Sequence, residues 1–266
     1  MTARALLLVG LVLAPAVGAQ TLARRVAQAA DGVVRFSFAH RPGVCGDGGS
    51  SICTDCAGGR CGRRMQVTGH GTNWDDDWVG ICDSGPARVA LEVRGGAVRD
   101  LHVYVGGSFR PASAGVTDLG TAGASDVEAF LVQLARGGTD AGRQALFALT
   151  IVDSITAWPD LLKLAKDQNL GHDTRRSAVF WLSQAAGEAA TRGLDSLAGD
   201  ETEDREVRGQ AVFALSQRPR DEGIPALVRI ARENKDPEIR KKAIFWLGQS
   251  DDPRALALFE ELLTKP

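Results

Sequence analysis

Ala178-Val179-Phe180-Trp181-Leu182-Ser183-Gln184 is a phrase that the chain repeats. It returns as Ala211-Val212-Phe213-Ala214-Leu215-Ser216-Gln217 and as Ala243-Ile244-Phe245-Trp246-Leu247-Gly248-Gln249, and a shorter form, Ala145-Leu146-Phe147-Ala148-Leu149, stands upstream. The four leading alanines lie 33, 33 and 32 residues apart, and a fixed period of roughly 20–50 residues marks a repeat array. A second apolar stripe keeps the same step, as Leu161/Leu164, Leu194/Leu197, Leu227/Ile230 and, one residue short, Phe259/Leu262. Within each stripe apolar residues recur at i, i+3 and i+4, which is helical spacing. Each unit is therefore expected to be a helical hairpin. One hairpin cannot bury two stripes alone, so neighbours must stack into an α-solenoid with a continuous core.

Working upstream, Ser125-Asp126-Val127-Glu128 has the form of a capping box, in which a serine hydroxyl accepts from the third helical amide and a glutamate reaches back. The helix it opens, Asp126–Arg136, has Val127, Phe130, Leu131 and Leu134 on one face and reads as a lone first helix covering the array's end. Gly- and Ala-rich residues 111–124 read as a linker. Before them the period changes. Val34, Phe36 and Phe38 alternate with polar or small residues, and Arg88–Arg94 and Ala97–Val105 form two alternating runs joined by Gly95-Gly96, a hairpin with one packed and one wet face. Arg88, Glu92, Arg94, Asp100, His102 and Tyr104 fall on the wet face. The expected organisation is a mostly β domain over 20–110, the linker, and the solenoid over 125–266.

All five cysteines, Cys45, Cys53, Cys56, Cys61 and Cys82, lie in a Gly-rich part of the β domain with little apolar content. Such a segment needs a staple. The favoured reading is two disulfides and one remaining thiol. Cys45 is paired with Cys82 because that bridge closes the whole loop, with the second bridge among Cys53, Cys56 and Cys61. The alternative is zinc on Cys53, Cys56, Cys61 and His70, against which stands the presence of a single CxxC. Covalent haem is excluded, because Ala57 and not histidine follows Cys56.

Arg4 precedes an apolar run, Ala5–Ala14, and then Pro15 and Ala16-Val17-Gly18-Ala19. That is the layout of a secretory signal cleaved before Gln20, so residues 1–19 are expected to be removed and the mature chain to be periplasmic or extracellular, with no membrane attachment after cleavage. The bridges suit that compartment. The 31 Lys+Arg against 33 Asp+Glu argue against a nucleic-acid partner, which needs a basic excess. Asn73-Trp74-Asp75-Asp76-Asp77-Trp78 places three carboxylates between indoles, but lacks the spacing of a calcium loop. No Gly-x-Ser-x-Gly elbow, phosphate loop or HExxH is present, and the four histidines have no context that pairs them with a nucleophile. No catalytic residue, cofactor or small-molecule substrate is read from the sequence.

The units Asp204-Arg-Glu-Val-Arg208-Gly-Gln-Ala211, Asp236-Pro-Glu-Ile-Arg240-Lys-Lys-Ala243 and Asp251-Asp-Pro-Arg-Ala-Leu-Ala-Leu-Phe259 resemble the short HEAT repeats found in phycobilin lyases. The resemblance covers about 125–264 and implies an α-solenoid used for protein–protein contact. It does not imply lyase activity. Phe36-Ser-Phe-Ala-His-Arg-Pro-Gly-Val-Cys45-Gly-Asp-Gly and Cys82-Asp-Ser-Gly-Pro86 are similar to the N-terminal parts of exported bacterial HEAT-repeat proteins, a likeness that carries no activity.

The repeated polar positions allow two readings. Gln184, Gln217 and Gln249 end equivalent helices and would form one row along an edge. Arg175, Arg208 and Arg240 lie three residues before their alanines, where each can bridge to the neighbouring repeat. The second helices offer Lys163, Lys166, Arg229 and Arg232, a face that an acidic partner segment could use. Phe147, Phe180, Phe213 and Phe245, with Trp181 and Trp246, read as core. The sequence thus points to a non-enzymatic interaction scaffold with an unidentified protein partner. The alternative is a metal-binding or thiol-active protein acting through Cys53, Cys56 and Cys61.

Overall fold

A computed structural model of the chain describes residues 20–49, 51–54, 56, 61, 63–68, 71–73, 82–185 and 187–264. The expected signal, His70 and the aspartates of the Trp74–Trp78 loop lie outside the described residues. Ten helices and eight strands form among those that are described, as a sheet region followed by a helical array.

After a short helix, α1 (Leu22–Ala27), the first sheet is built from β1 (Gly32–Phe38), β6 (Ala87–Arg94), β7 (Ala97–Val105) and β8 (Val116–Thr121) in the order β7-β6-β1-β8. Alternation decides its packed face: Val34, Phe36 and Phe38 of β1 are buried with Val89, Leu91 and Val93 of β6 and Leu101, Val103 and Val105 of β7. Gly95 and Gly96 both take positive φ, 59° and 72°, as a two-residue hairpin turn requires.

The second sheet, β2 (Cys45–Gly46), β3 (Ser51–Thr54), β4 (Arg63–Thr68) and β5 (Gly71–Asn73), is an antiparallel meander. Its first strand crosses close to β7, and a Cβ on Gly46 would stand 2.5 Å from the Val105 carbonyl oxygen. Only glycine fits there.

Residues 111–124 are not a free linker. They contain β8, which pairs in parallel with β1, Val33 opposite Val116 and Arg35 opposite Asp118. The strand is polar and half-exposed, so its sequence lacks the alternation that would reveal it. The side chain that secures it is Arg35, buried, which donates from Nε to Asp118 at 2.8 Å and from Nη1 to the Arg110 carbonyl at 2.7 Å. The outer face of the β6–β7 hairpin is also drier than its charges suggest. Arg88 is buried, donates to the carbonyls of Gly106 and Gly48, and sits 5.0 Å from the Phe109 ring centre, with Arg35 at 4.7 Å. The phenyl ring shields both guanidinium stems and faces both cations.

The array runs α2 (Ala124–Arg136), α3 (Asp140–Ile151), α4 (Trp158–Lys166), α5 (His172–Gln184), α6 (Glu188–Gly199), α7 (Arg205–Ser216), α8 (Arg220–Glu233), α9 (Pro237–Gly248) and α10 (Pro253–Thr264). The leading helices α3, α5, α7 and α9 stack in one row and the following helices α4, α6, α8 and α10 in another. Each leading helix also packs tightly against the helix just before it: α3 on α2, α5 on α4, α7 on α6, α9 on α8. The helical hairpins expected from the 33-residue step are thus present.

The start of α2 differs from the capping-box expectation. Its N-cap is Gly123, with no side-chain cap, and Ser125 lies inside the first turn. Glu128 faces Asp160 of α4 instead, where burial first and the charge of Asp160 second raise its carboxyl above the ordinary value. Nor does α2 cap the array alone, because the sheet packs there too. Phe36 meets Phe130 edge-on at 5.9 Å, the Gln144 side chain accepts from the Leu101 amide at 3.0 Å, and the Arg41 amide donates to the Ile151 carbonyl at 2.8 Å. One continuous apolar core runs through both regions.

Candidate interaction surfaces

Three groups of residues carry chemistry, and the first is sulfur. Cys45 is bridged to Cys82 across 37 residues of chain and Cys53 to Cys61 across 8. Cys56 is outside both bridges, and its Sγ lies 2.9 Å from Sγ of Cys45. Sulfur atoms of Cys45, Cys53, Cys56 and Cys82 all lie within 4.8 Å of one another. The structure therefore gathers Cys45 and Cys82 with Cys53 and Cys56, a different group from the Cys53, Cys56, Cys61, His70 set considered from spacing. Once reduced, four thiolates so close match a zinc donor set; as bridged, each disulfide spends the charge that a metal needs. Asp83, next to Cys82, fixes the adjoining turn by accepting from the amides of Gly107 at 2.6 Å and Gly85 at 2.8 Å. Those amides hold its carboxyl below the usual range.

The second group is a ladder between repeats. Arg175 is fully buried at the start of α5. It donates from Nε to the Ala165 carbonyl at 2.9 Å, from Nη1 to Asp204 at 2.5 Å and from Nη2 to buried Glu203. One step on, Arg208 repeats the geometry with the Ala198 carbonyl at 3.2 Å, Asn234 at 3.0 Å and Asp236 at 3.4 Å. Each arginine thus bridges forward, as its position suggests, and its acid is the residue that begins the next leading helix. Arg205 joins Asp236 at 2.9 Å and is the first cause holding that carboxyl low. Arg240 ends the series. It donates to the carbonyls of Asn234 at 2.7 Å and Lys235 at 3.0 Å and meets no carboxylate among the described residues.

Arg218 was not legible in the repeats, because it occurs in one unit only. Buried between turns, it donates to the carbonyls of Ser183, Ala185 and Gly187, to Thr191 at 2.8 Å and to Glu222 at 2.9 Å. It locks the α5–α6 turn to the α7–α8 turn.

The third group is the row of following helices. Lys163 pairs with Asp160 at 3.0 Å, Lys166 with Asp200 at 3.5 Å, Arg232 with Glu261 at 2.6 Å and Arg229 with Asp195. The four cations therefore do not form the open basic strip suggested by their spacing; three of them tie one repeat to another. An open cleft of about 400 Å³ between α6 and α8 is lined by Glu188, Asp195, Asp221 and Glu222 as well as Arg192 and Arg229, so the face has mixed charge. The glutamines stay local. Gln184 and Gln217 donate to the serines before them at 2.7 and 3.1 Å, the Gln184 Oε1 is buried without a partner, and Gln249 is the C-cap of α9.

The aromatic column, expected as core, grades from buried to open. Phe147 is buried with Trp181 of the next repeat at 5.1 Å, and Phe213 is half-buried with Trp246 of its next repeat at 5.0 Å. Phe245 is 57 % exposed, with the Trp246 ring beside it on α9 at 5.0 Å. On α10, Leu256 at 58 %, Leu262 at 44 % and Leu263 at 87 % are exposed as well.

This is a helical-repeat protein with a disulfide-stapled sheet region ahead of the array. Residues 197–266 match the family of HEAT repeats, and the upstream hairpins keep the same step, so the solenoid is built of HEAT-like hairpins. No curated protein matches the chain. Among solved structures, a chain from the complex of CpcE and CpcF of phycocyanin lyase from Nostoc sp. PCC7120 is 19% identical over 53% of this chain and 91% of that one, with a TM-score of 0.39.

Proposed function

We propose that the chain is a non-enzymatic protein–protein interaction scaffold that works in an exported compartment. The observation that carries this reading is the stack of helical hairpins, on which Phe245 of α9 and Leu256, Leu262 and Leu263 of α10 are exposed. Stacked repeats present extended surfaces for contact with other proteins, and exposed apolar side chains grouped on such a surface mark a contact region. The export half of the reading is supported by the apolar run Ala5–Ala14, the small residues before Gln20, and two disulfides that require an oxidising compartment. Among the described residues no helix is long and apolar enough to cross a membrane. Cross-linking the protein in its own cells and mapping the linked residues tests the scaffold reading. Links confined to the array support it; no linked partner at native abundance refutes it. An intact mass that starts at Gln20 and is four hydrogens short of the reduced chain supports export. A chain retaining Met1 with all thiols reduced refutes it.

A second reading is thiol chemistry, favoured by the 2.9 Å approach of Cys56 to the Cys45–Cys82 bridge. A Cys56 thiolate that attacks Cys45 Sγ forms the Cys45–Cys56 bond and releases Cys82 as the thiolate, with no change in oxidation level. Peptide mapping with the thiols trapped in acid decides between them: Cys82 blocked in part of the molecules supports exchange, and Cys56 blocked in all of them rejects it.

A further inference from the structure

We propose that Cys45, Cys53, Cys56 and Cys82 bind one zinc ion through four thiolates when the two bridges are reduced, so that this part of the chain has a metal staple as well as a sulfur one. The site rests on neither reading above: a scaffold does not need it, and exchange within the bridged chain does not form it.

The first observation is where the sulfurs lie. The Sγ atoms of these four residues are all within 4.8 Å of one another. Thiolates about 2.3 Å from a tetrahedral zinc stand about 3.8 Å apart, so small side-chain shifts suffice once the bridge bonds open. Cys61 is outside the group. Opening its bond to Cys53 frees Cys53 for the metal and leaves Cys61 as a thiol.

The second observation is that backbone pairing holds the four together alongside the bridges. Cys45 and Cys53 are direct partners across the β2–β3 ladder, which puts their Cβ atoms about 5 Å apart on one face. The Cys56 amide donates to the carbonyl of Gly43, two residues before Cys45, at 2.9 Å. Asp83, next to Cys82, exchanges two hydrogen bonds of 2.9 Å with Gly46, next to Cys45. Reduction leaves all three of these main-chain ties intact, so the thiols stay gathered after the sulfur bonds are gone.

The donor set selects the ion. The Asp83 side chain is committed to the amides of Gly85 and Gly107, and the group is all sulfur among the described residues. Thiolate sulfur suits zinc rather than calcium or magnesium. Cys45 and Cys53 are buried while Cys56 and Cys82 are half-buried, so an ion enters from the open side and is closed off by the core behind it. A dithiol reductant gives two electrons and two protons to each bridge and becomes a disulfide itself, which leaves five thiols in the chain. Zinc then displaces one proton from each of the four grouped thiols, and those protons pass to solvent as the four Zn–S bonds form.

The test uses the purified full chain, reduced with a phosphine, desalted without air and titrated with zinc chloride or, for its spectrum, cobalt chloride. One ion per chain in native mass spectrometry is expected, with thiolate-to-cobalt charge transfer and the visible bands of tetrahedral cobalt. In the zinc-loaded chain an alkylating reagent should modify Cys61 and spare Cys45, Cys53, Cys56 and Cys82, a pattern read without any substitution. Cys56→Ser and Cys82→Ser should each weaken zinc binding tenfold or more, and Cys61→Ser should leave it unchanged. No metal uptake by the reduced chain overturns the proposal, as does an ion without a thiolate spectrum or five thiols that react alike. Protection of Cys61, with binding lost in Cys61→Ser and kept in Cys82→Ser, would place the metal on Cys53, Cys56 and Cys61 and rule the four-sulfur site out.

Discussion

The sheet region and the array solve the same problem with different chemistry. Between Cys45 and Cys82 the chain is rich in glycine and poor in apolar side chains, so covalent bridges limit the unfolded ensemble where burial cannot hold the fold. From α2 onward, each repeat buries its own stripes against the next, and the buried ladder of Arg175 and Arg208 sets the register between them. Removing one link in the first region loosens a loop, whereas removing one in the second leaves a charge stranded in a core. The difference separates stability that resides in the denatured state from stability that resides in the native contacts.

Replacing Arg175 by methionine is the strongest way to break the array, because Glu203 is buried and would lose its cation. Loss of one partner of a buried pair costs about 3–5 kcal/mol, and the midpoint of urea unfolding followed by helical circular dichroism should fall accordingly. Breaking the sheet region comes next. Loop-closure entropy gives about 4 kcal/mol for the Cys45–Cys82 bridge and about 2.5 kcal/mol for Cys53–Cys61, from sequence separations of 37 and 8 residues. The double alanine variants should show that order in equilibrium unfolding; equal losses would mean that the bridges do not act through chain entropy.

Arg240→Met sharpens the comparison inside the array. Its two hydrogen bonds go to loop carbonyls near solvent and no buried acid depends on it, so the expected loss is under about 1 kcal/mol, in the range of surface pairs. A loss as large as that for Arg175 would show the last repeat to be as closed as the inner ones.

The smallest effect is a pH dependence. Asp252 is depressed to about 2, first by its hydrogen bonds from the Arg254 side chain and then by the Arg254 amide. A depressed folded pKa stabilises above the unfolded carboxylate value and is lost as pH falls through the folded one. The native chain should therefore lose stability from about pH 4 toward about pH 2, and Asp252→Asn should flatten that part of the curve. A curve identical to the native one would remove Asp252 from the account.

The array was legible because its signal is redundant. Four copies of an Ala-x-Phe-x-Leu core, spaced by one step, specify helix, hairpin and stack together, and a bridge from the arginines to a neighbouring repeat followed from their fixed place before each alanine, its forward direction from the structure. What the repeats could not reveal is whatever occurs once. Arg218 has no counterpart, and Glu203 and Asn234 become ladder partners only when adjacent turns meet. The exposed state of Phe245 is invisible in a column where Phe147 is buried, since burial there depends on which side chains of other helices pack on each ring.

The sequence by itself determined the repeat, the number of helical hairpins in it, the β6–β7 hairpin with its Gly95-Gly96 turn, and the need for sulfur staples. Those features are local or periodic, and local sequence carries them. Tertiary structure alone decided that 111–124 joins the sheet as a strand parallel to β1, that Arg35 and Arg88 are buried around Phe109, that Cys56 lies against the Cys45–Cys82 bridge, and that Lys166, Arg229 and Arg232 of the following helices are neutralised across repeats. Each of these depends on which distant segments come together, and neither the alternation nor the spacing of a single chain segment encodes that.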